Sequence, residues 1–340
     1  MFDNFFLRKK REREVVSGKT VTTPKNIHEL LSQHRWEEIF SDSSQIPLSD
    51  PALSWLEPPS EDFMRYVLER TPLGFDGVPP DETLYKRQPT FMLAQIHRLW
   101  VTMRIIQQFA ENRADFSLLD VGAFPFSLDI ILREYVKFSG DITVTTNWNL
   151  EEPWIFALKQ RSITVKYTNL DPFVGSGIDL PELKNYLDIP DNSVDLVVCT
   201  HVIEHLYHPY CMIKDIFRVL KPGGKIVITT DNAFMLSAFF NVCNLNDYLH
   251  EPVEGTAAMS FHQWRGHNRF YSCQDLKTLL ESAGFRFSQV HYYELLYNSF
   301  NNEFFKHPVR SLPKWKAEIL KMMPAYRNEI VVIGEKVNTG

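Results

Sequence analysis

Two stretches of this chain concentrate side chains able to do chemistry. His201-Val-Ile-Glu204-His205 fits the H-x-x-E-H order of inverted zinc peptidases. On a helix, His201, Glu204 and His205 would share a face by the i, i+3, i+4 rule, with His208 close by. Two histidines four apart can hold a metal. The second stretch, Phe261-His-Gln-Trp-Arg-Gly-His-Asn-Arg-Phe-Tyr271, carries two histidines, two arginines and four aromatics in eleven residues. Histidine is a general base near neutral pH, and forked arginine donors beside aromatic faces suit a sugar ring or an anionic group. His201, His262 and His267 are therefore the candidate bases. Trp264, Arg265, Arg269 and Tyr271 are the candidate substrate contacts. The plainer alternative is a packed loop whose polar groups satisfy one another.

The flanks of the His201 segment argue against a peptidase. Val194-Asp-Leu-Val-Val-Cys199 is a short apolar run rich in β-branched residues, which reads as a parallel strand buried on both faces. Only Thr200 separates it from the histidine, whereas a zinc peptidase needs a long helix there and a third ligand downstream. After Pro209, Ile213, Ile216, Phe217 and Leu220 keep helical spacing. Pro222-Gly223-Gly224 ends that helix, and Lys225–Thr230 is a second buried strand. Strand, helix, glycine turn and strand make a βαβ unit with parallel strands.

The same alternation extends both ways. Phe116–Val121 reads as the first strand, running into Gly122-Ala-Phe-Pro-Phe-Ser127 and a helix bearing Leu128, Ile131, Leu132 and Tyr135. Ile142–Thr146 and Ile163–Tyr167 read as strands around a short helix at Trp154–Lys159. Ser272-Cys-Gln-Asp275 resembles a capping box that opens a helix closed by Gly284. Phe287–Tyr293 and Glu329–Gly334 supply the last strands. The expected fold class is α/β: a Rossmann-like, seven-stranded, mostly parallel sheet with helices on both faces, over residues 91–340. Residues 1–90 form an N-terminal helical and irregular extension, and 234–266 an inserted lid, with Phe234, Met235, Phe239 and Phe240 as its small core. Any ligand belongs at the carboxyl ends of the strands.

On LLDVGAFPFS (118–127), IPDNSVDLVVCTHVIEHL (189–206), RVLKPGGKIVITT (218–230) and HNRFYSCQDLKTLLESAGF (267–285), the chain resembles the class I S-adenosylmethionine-dependent methyltransferases over about residues 92–336. The last segment is similar to sugar and polysaccharide members. The resemblance implies a methyl-transferring enzyme with S-adenosylmethionine as cofactor, S-adenosylhomocysteine as product and no metal. It implies a cofactor site at Asp120, Gly122, Ala123 and Phe124 for the amino-acid end. Asn147 falls where the ribose is held, Trp148 near the adenine or in simple packing, Asp171 on the adenine side, and Thr200 and His201 at the fourth strand's end. Two positions depart from the family pattern. Ala123-Phe-Pro-Phe126 stands where small residues are usual, and Asn147 and Asn149, with Glu151 nearby, where an acid usually grips the ribose. Asp179 and Asp188 are alternatives to Asp171, and Leu180 and Ile189 are candidate apolar walls. The expected acceptor is a hydroxyl of a sugar or glycan intermediate. A small-molecule or lipid acceptor, and a non-catalytic binding module of the same fold, are the alternatives.

Phe91–Ala110 reads as a strong helix lying on the sheet edge, and 25–40 and 61–70 as shorter helices joined by proline-rich turns at 47–60 and 72–90. Met1–Lys19 carries Arg8-Lys-Lys-Arg11 after Phe2, Phe5 and Phe6. It is expected to be a solvated terminus, with weak contact to an anionic membrane surface as the alternative. It lacks the apolar core of a signal peptide or a spanning helix. A net charge of -6 excludes bulk nucleic-acid binding. The four cysteines lack zinc or redox spacing and read as reduced thiols of a cytoplasmic protein, peripheral to a membrane at most. Oligomeric state is left open.

Overall fold

Strands β1 (Ser117–Asp120), β2 (Asp141–Thr146), β3 (Ile163–Tyr167), β4 (Val194–Thr200), β5 (Leu220–Asp231), β6 (Arg286–Tyr293) and β7 (Glu329–Glu335) form one sheet in the order β3-β2-β1-β4-β5-β7-β6. The first five pair in parallel, and β7 runs antiparallel to both β5 and β6. The structure is a computed structural model describing residues 59–70, 89–111, 113–147, 149–170, 187–238, 267–294, 319–320 and 322–337. The expected helix at 25–40, the basic stretch of 1–19, Trp148, Asp171, Asp179, Leu180, His262, Trp264 and Arg265 lie outside the described residues.

Alternating strand residues feed two cores. Leu118, Leu196, Val198, Val227, Val331 and Ile333 point to one face. Leu119, Val197, Cys199, Ile226, Ile228, Ile330 and Val332 point to the other. A period of two with both faces apolar is why these strands read as near-continuous hydrophobic runs. The first face is covered by α1 (Glu61–Arg70), α2 (Pro89–Ala110), α3 (Ser127–Ile131, continued by a π-turn at Leu132–Val136) and α4 (Glu152–Gln160). The second is covered by α5 (Pro209–Val219) and α6 (Cys273–Ala283).

Three differences from the sequence reading have physical causes. Helix α2 packs over β4, at the centre of the sheet rather than its edge. Ile96, Val101, Met103, Ile105 and Ile106 are all buried, so its apolar face is wide enough for a central position. The Leu-Lys-Pro-Gly-Gly segment belongs to β5 instead of preceding it, through a register shift against β4 between Val194 and Leu196. Phe234 is 64% exposed, so it is not part of a small lid core; Phe239 and Phe240 lie outside the described residues. The capping box holds: the Ser272 hydroxyl accepts from the Asp275 amide, the Asp275 carboxylate accepts from the Ser272 amide, and Gly284 closes the helix at φ 104°. No described helix is long and apolar enough to cross a membrane.

Candidate active site

The carboxyl ends of β1, β2, β4 and β5 meet on one edge, and two loops interlock there. Gly122, just past β1, has φ +77°. Its amide donates to the Thr145 hydroxyl at 3.0 Å, and the Ala123 amide donates to the Thr145 carbonyl at 3.0 Å, so β2 clamps the turn. A Cβ on Gly122 would come within 2.6 Å of Val202 Cγ2. Both the left-handed backbone and this close approach require glycine. Gly122→Ala is therefore expected to cost about 2 kcal/mol, of which about 1–2 is backbone strain. A urea titration checks this; a loss below about 0.5 kcal/mol would mean the two loops are not interlocked.

The aromatic residues of the β1 loop have a purpose of their own. Phe126 is buried in the left-handed region at φ 66°, a conformation that disfavours bulky residues. Phe124 and Phe126 meet edge-on at 5.7 Å, and each lies 5.8 Å from the Trp154 ring of α4. Aromatic packing offsets the strain that glycines would avoid.

Behind this turn lie two buried acids. Asp120 at the end of β1 is 1% exposed and Asp129 in α3 is 0% exposed. Oδ1 of Asp120 and both carboxylate oxygens of Asp129 have no hydrogen-bond partner. Burial pushes the Asp120 carboxyl up to about 7. Burial first, and the neighbouring Asp120 charge second, push Asp129 well above the ordinary range, outweighing the smaller pull of its own backbone amide and of Arg133.

The His201 segment departs from a helix. His201 itself has φ 52°, and Ile203–His205 form a single 3-10 turn. Both ring nitrogens of His201 face acids: Nδ1 lies 3.0 Å from Glu204 and Nε2 lies 2.9 Å from Glu329. The Thr230 hydroxyl donates to the other Glu204 oxygen at 2.9 Å. Glu329 is also held by Arg98 of α2, through Nη2 at 2.7 Å and Nε at 3.2 Å, and Arg98 reaches Asp231 at 3.4 Å. The antiparallel pairing of β7 makes this possible, because it sets Glu329 directly opposite Asp231.

Burial and the Arg98 charge both disfavour a proton on His201, but the Glu329 and Glu204 carboxylates outweigh them and raise it to about 9. Its ordinary value is 6.5, so the contribution to stability is complete below about pH 6.5 and is lost as pH rises through about 9. Wild-type stability in urea should fall between about pH 7 and 9.5, and Glu329→Gln should flatten that fall; an unchanged slope in the variant would contradict the pairing.

Two triads here bring ligand-type atoms within 4.8 Å of one another: Glu204, His205 and His267, and His201, Glu204 and Asp231. Both depend on Glu204, whose two oxygens are already engaged by His201 and Thr230. The second also needs a histidine that is doubly protonated and has no lone pair to offer. The geometry is that of a buried ion-pair network, not a zinc peptidase centre.

His267 enters this edge from the segment before α6. Its Nδ1 lies 3.4 Å from Asp231, and its ring lies tilted 4.8 Å from His205 and edge-on 5.7 Å from Phe270. The adjacent Asn268 fixes the approach: its amide donates to the Glu204 carbonyl at 2.7 Å and its side chain to the His205 carbonyl at 2.8 Å. Burial holds the His267 ring below its usual value, so it is neutral at pH 7. Burial and the Glu329 charge push Asp231 up to about 6.

The remaining expected residues are scattered. Thr200 ends β4 beside His201, and Asn147 is exposed at the end of β2. Asp188 is exposed and paired with Lys166 at 2.7 Å. Arg269 is exposed and lies over the Tyr271 ring at 5.8 Å. Tyr271 is 2% exposed, and its hydroxyl donates to the Ile203 carbonyl at 3.3 Å. Sequence reasoning missed Arg98, Asp129, Asp231 and Glu329. Asp231 and Glu329 sit at strand ends on the ligand side, which is a readable signal. Arg98 is one of two arginines on a mostly apolar helix, and nothing local marks its partner.

Residues 92–290 match a family described as methyltransferase domain. A probable S-adenosylmethionine-dependent methyltransferase of Mycolicibacterium smegmatis is 32% identical over 123 residues, 36% of this chain and 38% of that protein. The mouse mitochondrial ubiquinone biosynthesis O-methyltransferase is 29% identical over 141 residues, 41% of this chain and 35% of that protein. The matched segments thus span well under half the length of these relatives. Among solved structures, a phosphoethanolamine N-methyltransferase 2 of Haemonchus contortus aligns with TM-score 0.47 at 14% identity, over 76% of this chain and 59% of that one.

Proposed function

The chain belongs to the methyltransferase-domain family, and on that premise we propose that it is an S-adenosylmethionine-dependent methyltransferase acting on a hydroxyl oxygen. The observation that carries the oxygen specificity is His267 beside Asp231, on the same strand edge as the Gly122 turn. The residues present fit the cofactor. The buried, unpartnered Oδ1 of Asp120 suits an α-ammonium, and Gly122 lets the backbone approach closely. Asp120, Gly122, Ala123 and Phe124 would hold the amino-acid end, Asn147 the ribose, and Trp148 and Asp171 the adenine. Thr200 and His201 would close the site from β4.

When bound, S-adenosylmethionine supplies a methyl group already activated by its sulfonium sulfur. The chain therefore has to align an acceptor oxygen and take up its proton. Asp231 favours the tautomer of His267 with the proton on Nδ1, leaving a lone pair on Nε2 for the acceptor hydroxyl. His201, fixed as a cation between Glu204 and Glu329, positions the β4 loop instead of accepting a proton. His262 is the second base of this reading.

The acceptor class we favour is a sugar or glycan hydroxyl, supported by the arginine and aromatic content of residues 261–271, including Trp264, Arg265 and Arg269. A phenolic hydroxyl is the second reading, supported by the ubiquinone biosynthesis O-methyltransferases among the relatives. Incubation with methyl-labelled S-adenosylmethionine and two acceptor panels, sugar nucleotides with glycans and substituted catechols, separates them. Label in the first panel supports the sugar reading, and label in the second overturns it. Label in neither panel, from protein that binds the cofactor, would overturn both acceptor classes.

A further inference from the structure

We propose that Asp129 is a second carboxylate of the pocket for the cofactor's α-ammonium, and that it shares a proton with Asp120 which leaves when the ammonium arrives. This rests on the cofactor reading above. It starts from three carboxylate oxygens, Oδ1 of Asp120 and both of Asp129, that are buried without hydrogen-bond partners in side chains at most 1% exposed. A buried ionised carboxylate without a partner is costly, and two that repel each other are costlier still. Something must neutralise them in each state of the protein.

The surroundings supply little positive charge. Within α3 and its continuation, Arg133 acts on Asp129, but its guanidinium donates to the carbonyls of Phe138, Gly140 and Ser162. From β4, the Cys199 thiol feels the Asp120 charge and is itself pushed up by burial. From β2, the Thr145 hydroxyl oxygen accepts from the Gly122 amide. Helix α2 packs on α3, and its buried His97 and Arg98 lie against Tyr293 and Glu329 respectively. Among the described residues Arg133 is the cation that acts on Asp129, and with its terminal nitrogens given to three carbonyls it offsets the pair's charge only in part. Without ligand a proton offsets the rest, in line with the raised carboxyls of both residues. With ligand an ammonium does so better, because it offers three donors and a full charge.

The proton exchange gives a readout independent of turnover. S-adenosylhomocysteine carries the same α-ammonium, so it is titrated calorimetrically into the full chain near pH 6 in buffers of different ionisation enthalpy. Release of about one proton per ligand is expected near pH 6, falling only at higher pH where the pair loses its proton unaided. Asp129→Asn should weaken binding about tenfold or more and cut the release by about half or more. Its melting temperature without ligand should be held or raised, since a buried like charge is gone. A purely structural Asp129 would instead give a lower melting temperature with affinity and release unchanged, and that would overturn the proposal. Binding by wild-type protein without proton release would overturn it alone. No binding by folded protein would overturn it together with the cofactor reading.

Discussion

Arg98→Met should destabilise the protein by about 3–5 kcal/mol, the usual cost of leaving a buried charge uncompensated. Arg98 touches Glu329 through two nitrogens and Asp231 through one, and all three side chains are nearly inaccessible. Methionine keeps most of the aliphatic volume, so the loss reports charge, not packing. Glu329 would keep only His201, and Asp231 only His267. The double variant Arg98→Met with Glu329→Gln should recover a large part of the loss, because the orphaned charge is removed as well. Urea denaturation of the four proteins gives the coupling directly. A loss under about 1 kcal/mol for Arg98→Met would show that the network is solvated and of little consequence.

His267→Ala should lower kcat/KM by about 10² to 10⁴, the range for losing a general base, with cofactor affinity unchanged. The two ionisations that matter are His267, held below its usual value by burial, and Asp231, raised to about 6. Both must be deprotonated for the base to act. Wild-type kcat/KM is thus expected to rise with pH through about 6 and then level. Asp231→Asn should shift that limb and lower kcat more than it raises KM, since Asp231 positions the ring without touching the acceptor. A phenolic acceptor, being more acidic than a sugar hydroxyl, would lose less on removal of His267. Full activity in His267→Ala would move the base elsewhere, with His262 next in line.

Much of the fold was legible because it is local or periodic. The strand at Ile163–Tyr167 matches the sequence reading residue for residue, and the Ser272–Asp275 box marks the start of α6 because capping is a four-residue affair. The apolar runs at β1, β4 and β5 read correctly because both sheet faces are covered. The His201 segment did not read correctly. Its spacing fits one helical face, yet a left-handed residue and a 3-10 turn replace the helix. What imposes that shape is Glu329, far along the chain, together with Thr230. Arg98 and Glu329 are 231 positions apart, so no window of sequence contains the pair. Asp129 was hidden differently. It sits one residue after Leu128 on a short, wholly buried helix, where a carboxylate contradicts the local pattern. Such contradictions are where function tends to lie.

The central claim is that the carboxyl edge around Asp120 and Gly122 receives S-adenosylmethionine. Equilibrium dialysis of the full chain with labelled S-adenosylmethionine tests it most directly, with Asp120→Ala beside the wild type. One site with a dissociation constant on the order of micromolar, weakened at least about tenfold in the variant, is the predicted result. Absence of binding by wild-type protein whose melting transition shows it folded would contradict the account. So would binding that Asp120→Ala leaves untouched.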